Sequence, residues 1–313
     1  MSSSPAAALP LSSALPLRSA LKLLTAHLVV ALVALVVVGG ATRVMEAGLA
    51  CPDWPLCYGV LLPGRQMNLQ VFLEWFHRLD AFLVGVALLV LSGLSLWRRN
   101  QLPSWLPWLA CLSLVLVALQ GALGALTVTG LLAASTVTAH LATALLLVLL
   151  ISALDQCLTK ADAPAELPRW WLPLSVLAMA LVFAQCVLGG AMASRWAVDH
   201  CFSTGQQCEW LLRHRQLALP AGLSVFLLAG SGLLQPRLDT YLRALSLSAA
   251  GLVALQVALG ILTLRWQLQL PSLTIAHQLV AALLTAQLGA IGGRSLQISS
   301  RRLPSQTLEV SCG

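Results

Sequence analysis

Four of the six histidines in this sequence recur in pairs at one spacing. His77 and His214 are each followed by an arginine, and His140 and His277 each follow an alanine. Both intervals are 137 residues (214 − 77 and 277 − 140). Haem iron takes two axial ligands, and imidazole is one of the side chains that supply them. The pattern therefore predicts two haem pockets, each built around two histidines.

The composition of the chain predicts that these histidines lie on membrane-spanning helices. The 313 residues are 58% hydrophobic and only 9% charged, with a mean hydropathy of +0.86. A soluble enzyme could not hide this much apolar surface in one core. Aromatic residues make up only 6% of the chain and short strands do not alternate with turns, which argues against an outer-membrane barrel. The sequence predicts an all-α polytopic membrane protein.

Eight apolar runs are long enough to be spans, since each crossing needs about 20 residues. They are predicted at residues 20–42, 71–97, 104–126, 133–156, 170–192, 209–234, 240–264 and 271–293. The paired histidines fall on spans two, four, six and eight. Each lies about five to seven residues after the start of its span, which places all four at one depth. Zinc or copper would need three or four ligands, and neither half offers a third histidine or a cysteine at that depth.

The spans form two similar halves. The pattern Val-Ala-Leu-Gln, Ala-Leu-Gly, Leu-Thr of residues 117–127 returns at residues 253–263, and Gly39-Gly40 returns as Gly189-Gly190. Each half crosses the membrane an even number of times, so the halves have one orientation and form a parallel repeat. We predict two four-helix bundles, at residues 20–156 and 170–293. A disordered cytoplasmic tail is predicted at residues 1–19, and a second cytoplasmic tail at residues 294–313.

The net charge of +7 indicates orientation in the bilayer and no nucleic-acid partner. With the N-terminus inside, 11 of the 18 lysines and arginines fall on inner segments and 4 in outer loops, while the other 3 lie within or at the mouths of spans. This positive-inside excess predicts that both termini are cytoplasmic. A cleaved signal peptide is the competing interpretation, but the first apolar run is longer than a signal core.

One acidic residue distinguishes the halves. Glu74 lies three residues before His77, so both project from nearly the same helix face. The corresponding residue of the second half is Leu211. An ionisable residue within a span is costly and usually functional, although one near the end of a span can simply be solvated. We predict that the half with Glu74 contains the reaction site and that the other half holds a permanent electron-transfer cofactor.

Charged and sulfur-containing residues also mark the outer side. Arg78 and Arg215 are predicted to pair with haem propionates, the alternative being that they extend to lipid headgroups. Two cysteine pairs lie in the first and third outer loops, and each can close a disulfide in an oxidising compartment: Cys51 with Cys57, and Cys201 with Cys208. A structural role is the first interpretation, and thiol exchange is the alternative. The remaining cysteines, predicted to be packing residues or free thiols, are Cys111, Cys157, Cys186 and Cys312.

Together these motifs resemble a known family. The likeness is carried by the duplicated histidines and by three segments: Gly39-Gly40-Ala41-Thr42-Arg43, Cys51-Pro52-Asp53-Trp54-Pro55-Leu56-Cys57 and Glu74-Trp75-Phe76-His77-Arg78. Across residues 22–292 the sequence is similar to the heme A synthases that serve cytochrome oxidase assembly. Members of that family differ in whether they keep the outer cysteines.

The resemblance implies an activity, oxidation of the C8 methyl group of heme O to a formyl group, which produces heme A. It implies that His77 and His140 ligate the iron of the substrate haem, and that His214 and His277 are the axial ligands of a haem b cofactor. Glu74 matches the family's essential carboxylate, which is expected to accept a proton or stabilise cationic charge while water attacks the oxidised carbon. Heme O synthase, cytochrome oxidase assembly factors and a second copy of the chain are the candidate partners. An energy-transducing membrane is the expected location.

Two other functions explain part of the pattern. A diheme cytochrome that carries electrons from quinol would explain four histidines but not Glu74. A haem transporter would fit a parallel repeat, but Gly124 and Gly260 lack the proline or polar neighbours of broken helices and are predicted to be helix-packing positions. His27 and His200 match no partner in the repeat and are predicted to be structural or solvated.

Overall fold

A computed structural model describes residues 14–159, 167–192 and 209–300. In these ranges the secondary structure is helical and contains no strand. The helices are α1 Ala14–Val44, α2 Leu69–Trp97, α3 Trp105–Thr129, α4 Ala134–Leu158, α5 Trp171–Met192, α6 Glu209–Leu233, α7 Thr240–Arg265 and α8 Pro271–Ser300. All eight are long and apolar enough to cross a membrane. The predicted all-α, multi-pass membrane architecture is confirmed.

The helix ends agree with the predicted spans to within a few residues, except at the two predicted tails. Helix α1 begins at Ala14, and α8 continues to Ser300. A buried ion pair explains the extension of α8. Arg294 Nη2 lies 2.8 Å from Asp239 Oδ2, and both side chains are almost fully buried. Residues 14–19 and 294–300 are therefore helical and not tail. The rest of both predicted tails lies outside the described residues.

The helices pack as two rings of four that share a contact zone. In the first ring α1 contacts α2, α2 contacts α3, α3 contacts α4 and α4 returns to α1. The second ring repeats this order from α5 to α8. Contacts of α4 with α5 and α8, and of α1 with α8, join the rings. Two separate buried apolar clusters follow the same division, except that Ala282 and Ala286 of α8 belong to the first. Each ring contains the four helices of one predicted bundle.

Two glycines of α8 lie directly against the backbone of α4. A Cβ atom added at Gly289 would lie 2.7 Å from the carbonyl oxygen of Leu149, and one added at Gly293 would lie 2.7 Å from Cα of Ala153. Side chains larger than hydrogen would separate the two helices at both positions. The relative position of the bundles is therefore fixed by direct backbone contact, which small residues permit between membrane helices.

Candidate active site

All four paired histidines line one cavity between and within the bundles. His77, His140, His214 and His277 lie on α2, α4, α6 and α8, five to eight residues after the first residue of the helix. The cavity has a volume of about 2140 Å³. A pocket for one drug-sized ligand has a volume of roughly 300–1,000 Å³. The cavity therefore has room for more than one such ligand beside the histidines.

His77 and His140 form a pair whose rings face the same space. Their ring centroids are 6.5 Å apart and the ring planes are nearly perpendicular, at 77°. Two metal–imidazole bonds of about 2 Å each, together with the inner half of each ring, account for this separation. The distance between the rings therefore matches that of two imidazoles bound to one iron atom. Within the described ranges, no group of three or more histidine, cysteine and acidic side chains is placed to hold a metal ion.

Each histidine ring packs against a glycine of the neighbouring helix. An added Cβ would lie 2.8 Å from Cε1 of His77 at Gly39, 3.6 Å from that of His140 at Gly124, 2.9 Å from that of His214 at Gly189, and 3.1 Å from that of His277 at Gly260. Gly124 and Gly260, predicted to be helix-packing positions, thus face histidine rings. The repeated glycines of the sequence leave space for the four imidazoles.

The Nδ1 atom of every paired histidine is buried and has no hydrogen-bond partner in the described part of the chain. Leaving a buried polar atom unsatisfied costs about 1–3 kcal/mol. A ligand that brings its own metal and polar groups into the cavity would offset that cost. Two imidazoles, glycine-lined space and a largely apolar enclosure fit a haem in each half.

Three glutamines hold the histidine helices, and sequence analysis did not identify them as site residues. The amide nitrogen of Gln120 donates to the backbone oxygen of His140 (2.8 Å), and that of Gln185 donates to the backbone oxygen of His214 (2.9 Å). The amide nitrogen of Gln256 lies 3.3 Å from Nε2 of His277. Gln120 and Gln256 end the repeated Val-Ala-Leu-Gln pattern, which was the available signal. Gly189 corresponds to Gly39 in the repeat, and by the same interval (189 − 39 and 185 − 35) Gln185 corresponds to Leu35. The His77 site therefore lacks the glutamine found beside His214.

Glu74 is a buried acid at the edge of the cavity. Only 3% of the surface of Glu74 is exposed. Oε2 accepts a hydrogen bond from the backbone N–H of Cys51 (2.8 Å), and Oε1 lies 2.5 Å from Nη2 of Arg78. Burial, an ion pair and a backbone donor hold the carboxylate in one position. At the corresponding place in the second half, Leu211 lines the same cavity without a polar group.

Arg78 fastens the first outer loop to α2. Its guanidinium donates to the backbone oxygens of Asp53 (2.6 Å), Leu56 (2.5 Å) and Cys51 (3.4 Å), in addition to Glu74. These bonds to the loop carbonyl oxygens could not be predicted from the position of Arg78 in the sequence. Arg215, its counterpart on α6, is exposed and lines the cavity.

The outer loop is closed by the Cys51–Cys57 disulfide, with Cα atoms 4.7 Å apart. Both cysteines are buried and pack against Val71 of α2. Cys111, Cys157 and Cys186 are free. The predicted Cys201–Cys208 pair, Cys312 and His200 lie outside the described residues. His27 is exposed on α1, where Nδ1 lies 2.7 Å from the carbonyl oxygen of Leu23.

Comparison with known proteins assigns this arrangement to a family. Residues 22–288 match the COX15-CtaA family, described as cytochrome oxidase assembly protein. The chain belongs to this family. The matched range contains Glu74, the four paired histidines and the Cys51–Cys57 loop, so the resemblance drawn from those motifs is confirmed.

Similar proteins in this family span nearly the same length. A Heme A synthase of Shewanella oneidensis is 29% identical, over 82% of this chain and 91% of that protein. A Heme A synthase of Sphingopyxis alaskensis is 28% identical, over 82% of this chain and 87% of that protein. One from a Caulobacter species is 27% identical, over 81% of this chain and 89% of that protein.

Proposed function

We propose that this chain is a heme A synthase, an oxidoreductase that converts the C8 methyl group of heme O to a formyl group. Family membership and the names of the full-length relatives support this function over a diheme electron-transfer cytochrome or a haem transporter. The observation that carries the proposal is the buried Glu74 carboxylate beside His77, in a cavity that also reaches the second histidine pair. Among the described residues of the second site, Leu211 stands at the position that corresponds to Glu74.

The two histidine pairs have different roles in this proposal. His77 and His140 hold the iron of heme O, the substrate, and His214 and His277 hold haem b. When bound, haem b supplies one-electron transfer. The polar difference between Glu74 and Leu211 supports this assignment, because a site that only transfers electrons needs no acid or base.

Glu74 acts on charge and protons at the substrate. Oxidation of a methyl group to a formyl group takes its oxygen from water and releases protons and electrons in equal number to acceptors outside the described site. A fixed carboxylate beside the cavity stabilises positive charge as it develops at the methyl carbon and accepts a proton from the attacking water. Arg78 and the Cys51 N–H keep the carboxylate in place for this step.

Further assignments belong to the same proposal. Arg215, exposed at the cavity, is placed to pair with a haem propionate. For Arg78 the same pairing would compete with its bonds to the loop carbonyls, so we assign it first to the loop. Both termini are cytoplasmic, and heme O synthase, cytochrome oxidase assembly factors or a second copy of the chain are candidate partners.

The test is production of heme A in cells that make heme O but lack heme A. Membranes from cells expressing the chain are extracted, and their haems are separated by chromatography. The expected result is heme A with the intact chain and none with an empty vector. The opposite result would be that the purified protein is loaded with haem but that the cells, which contain heme O, still form no heme A. That result would overturn the proposal.

A further inference from the structure

One side chain of the second bundle reaches into the first. Gln278 follows His277 on α8, yet its Nε2 donates a hydrogen bond to the backbone oxygen of Val36 on α1, 3.0 Å away. Gln278, Val36 and the glycines beside them all line the cavity. The helix that carries a histidine of the second site is therefore bonded to a helix of the first site.

The amide lies directly on the backbone of Gly40. A Cβ at that position would overlap Oε1, Cδ and Nε2 of Gln278. The preceding residue, Gly39, lies against the ring of His77. One turn of α1 thus contacts an imidazole of its own bundle and the amide of the other bundle, so a shift of Gln278 would be passed to His77 over a few ångströms.

The corresponding contact in the second bundle has no polar group. Leu141 follows His140 as Gln278 follows His277, and the interval is again 137 residues (278 − 141). Its Cδ2 would lie 2.6 Å from a Cβ at Gly190, the counterpart of Gly40. Leucine fills this place between the bundles, so the packing alone does not require an amide.

The amide also has an energetic cost. Gln278 Oε1 is buried and has no hydrogen-bond partner in the part of the chain that the structure describes, and such an atom is destabilising. A leucine would avoid this cost. The compensating feature is the bond to Val36, which only an amide or a similar donor can make.

We propose that Gln278 is a positioning residue of the first histidine site, supplied by the helix that holds the second. It fixes α1 relative to α8 and thereby sets the orientation of the His77 ring. This role rests on the proposed function and extends it. Gln278, whose counterpart in the repeat is Leu141, is a second polar residue that acts on the first site where the repeat has leucine. Glu74 in place of Leu211 is the other.

The first experiment replaces Gln278 with its counterpart from the repeat. In a His214→Ala background, which leaves the first site as the only intact pair, the electron paramagnetic resonance spectrum of bound low-spin haem reports the relative orientation of the two imidazoles. We expect Gln278→Leu to shift that spectrum without loss of haem. In the otherwise intact chain we expect it to lower the fraction of haem converted to heme A by about tenfold or more, since small misplacements of reacting groups have effects of this size.

A matched control lies on the same helix. Gln287 also donates from its amide to a helix backbone oxygen, that of Leu245 at 2.8 Å, and in addition to the hydroxyl of Ser248, but it does not line the cavity. Gln287→Leu removes the same type of bond, and we expect an unchanged spectrum and unchanged heme A. A Gln278→Leu protein that behaves like Gln287→Leu in both measurements would overturn the inference.

A double variant separates positioning from packing. We expect Gly40→Ala alone to lower the yield of folded protein, because its methyl group overlaps the Gln278 amide. Combination with Gln278→Ala removes the overlap and should restore the yield, but neither the spectrum nor the heme A fraction. Full recovery of all three would show that the contact only fills space, and the inference would be wrong.

The outcomes also distinguish this inference from the proposed function. If the intact chain makes no heme A while Gln278→Leu still shifts the spectrum, the proposed function fails and the positioning role stands. If heme A is made equally by both chains with identical spectra, the positioning role fails and the function stands.

Discussion

At the scale of single residues, the two sites share their paired histidines and differ in their polar neighbours. Each has two histidines against glycines. Glu74 of the first site corresponds to Leu211 of the second, and the Gln278 contact corresponds to that of Leu141. The shared histidine pairs predict that both sites bind haem, and the Glu74 carboxylate of the first site predicts that this site carries out the oxidation.

The carboxylate itself can be separated from its structural contacts. Glu74→Gln keeps an oxygen for the Cys51 N–H but removes the charge, and Glu74→Leu copies the second site. We expect both variants to retain haem and to lose heme A formation by about a hundredfold or more, the usual contribution of a positioned acid or base. Haem content and heme A fraction are measured by chromatography. Glu209→Leu, which removes an exposed acid from α6, is the control; a Glu74→Leu protein with its full activity would remove the main support for the first site as the reaction site.

The glycines beneath the histidine rings give a site-selective prediction. An alanine at Gly39 or Gly189 would place a methyl group 2.8–2.9 Å from the ring of His77 or His214, closer than carbon atoms pack. We expect Gly39→Ala to reduce haem in the first site and Gly189→Ala to reduce it in the second, measured as haem per protein. Gly85→Ala, on α2 with nothing near its added methyl group, should leave haem content unchanged. Equal haem in all three variants would contradict the proposed packing.

At the scale of elements, α2 and the first outer loop form one unit. Arg78 and Glu74 of the helix bond to the backbone of Cys51 and its neighbours, and the Cys51–Cys57 disulfide closes the loop on itself. The first outer loop is therefore held in place by the same helix that carries His77. Its order should depend on the buried ion pair.

Loss of the guanidinium should loosen the loop. We expect Arg78→Gln to lower the free energy of local opening by about 2 kcal/mol or more, because hydrogen bonds to a charged donor are worth about 1.5–3 kcal/mol each. Hydrogen exchange of backbone amides at residues 50–60 measures this opening. The matched control is Arg213→Gln on α6, whose pair with Glu209 has the same spacing but is exposed and contributes little. Unchanged exchange in Arg78→Gln would mean that the loop is held by the disulfide alone.

At the scale of the whole molecule, the two bundles are joined where α4 meets α8. Gly293 of α8 lies on the backbone of Ala153, and an added methyl group there would meet backbone atoms that cannot move aside. The adjacent Gly292 has open space at the same position. We expect Gly293→Ala to destabilise the protein by about 1–3 kcal/mol, the usual cost of overpacking, and Gly292→Ala to have little effect. Thermal unfolding in detergent measures both, and equal melting temperatures would contradict the close contact.

Much of this architecture could be predicted from the sequence because long apolar runs and a repeat are unambiguous signals. The eight helices and the positions of the histidines followed from hydropathy and spacing. The ends of α1 and α8 did not, because Arg18 and Arg294 look like tail residues until the helices around them are known; Arg18 donates to carbonyl oxygens of α4, and Arg294 pairs with Asp239.

The contacts that connect distant segments were also beyond the sequence. Arg78 looked like a propionate ligand because it follows a histidine, but its bonds go to a loop more than 20 residues away. Gln278 was not distinguished, because its partner Val36 is 242 residues away in the chain. Hydrogen bonds of this kind depend on the packing angle of helices, which local patterns do not specify.

In the proposed function the two bundles hold different haems, and the type of haem lost from each histidine variant distinguishes their roles. His77→Ala and His214→Ala proteins are purified from cells that make heme O, and their haems are identified by chromatography. We expect the His77→Ala protein to keep haem b and to lack heme O and heme A, whereas the His214→Ala protein should lose haem b and keep heme O. A His77→Ala protein that retains heme O while haem b is lost would contradict the assignment of the substrate to the first bundle.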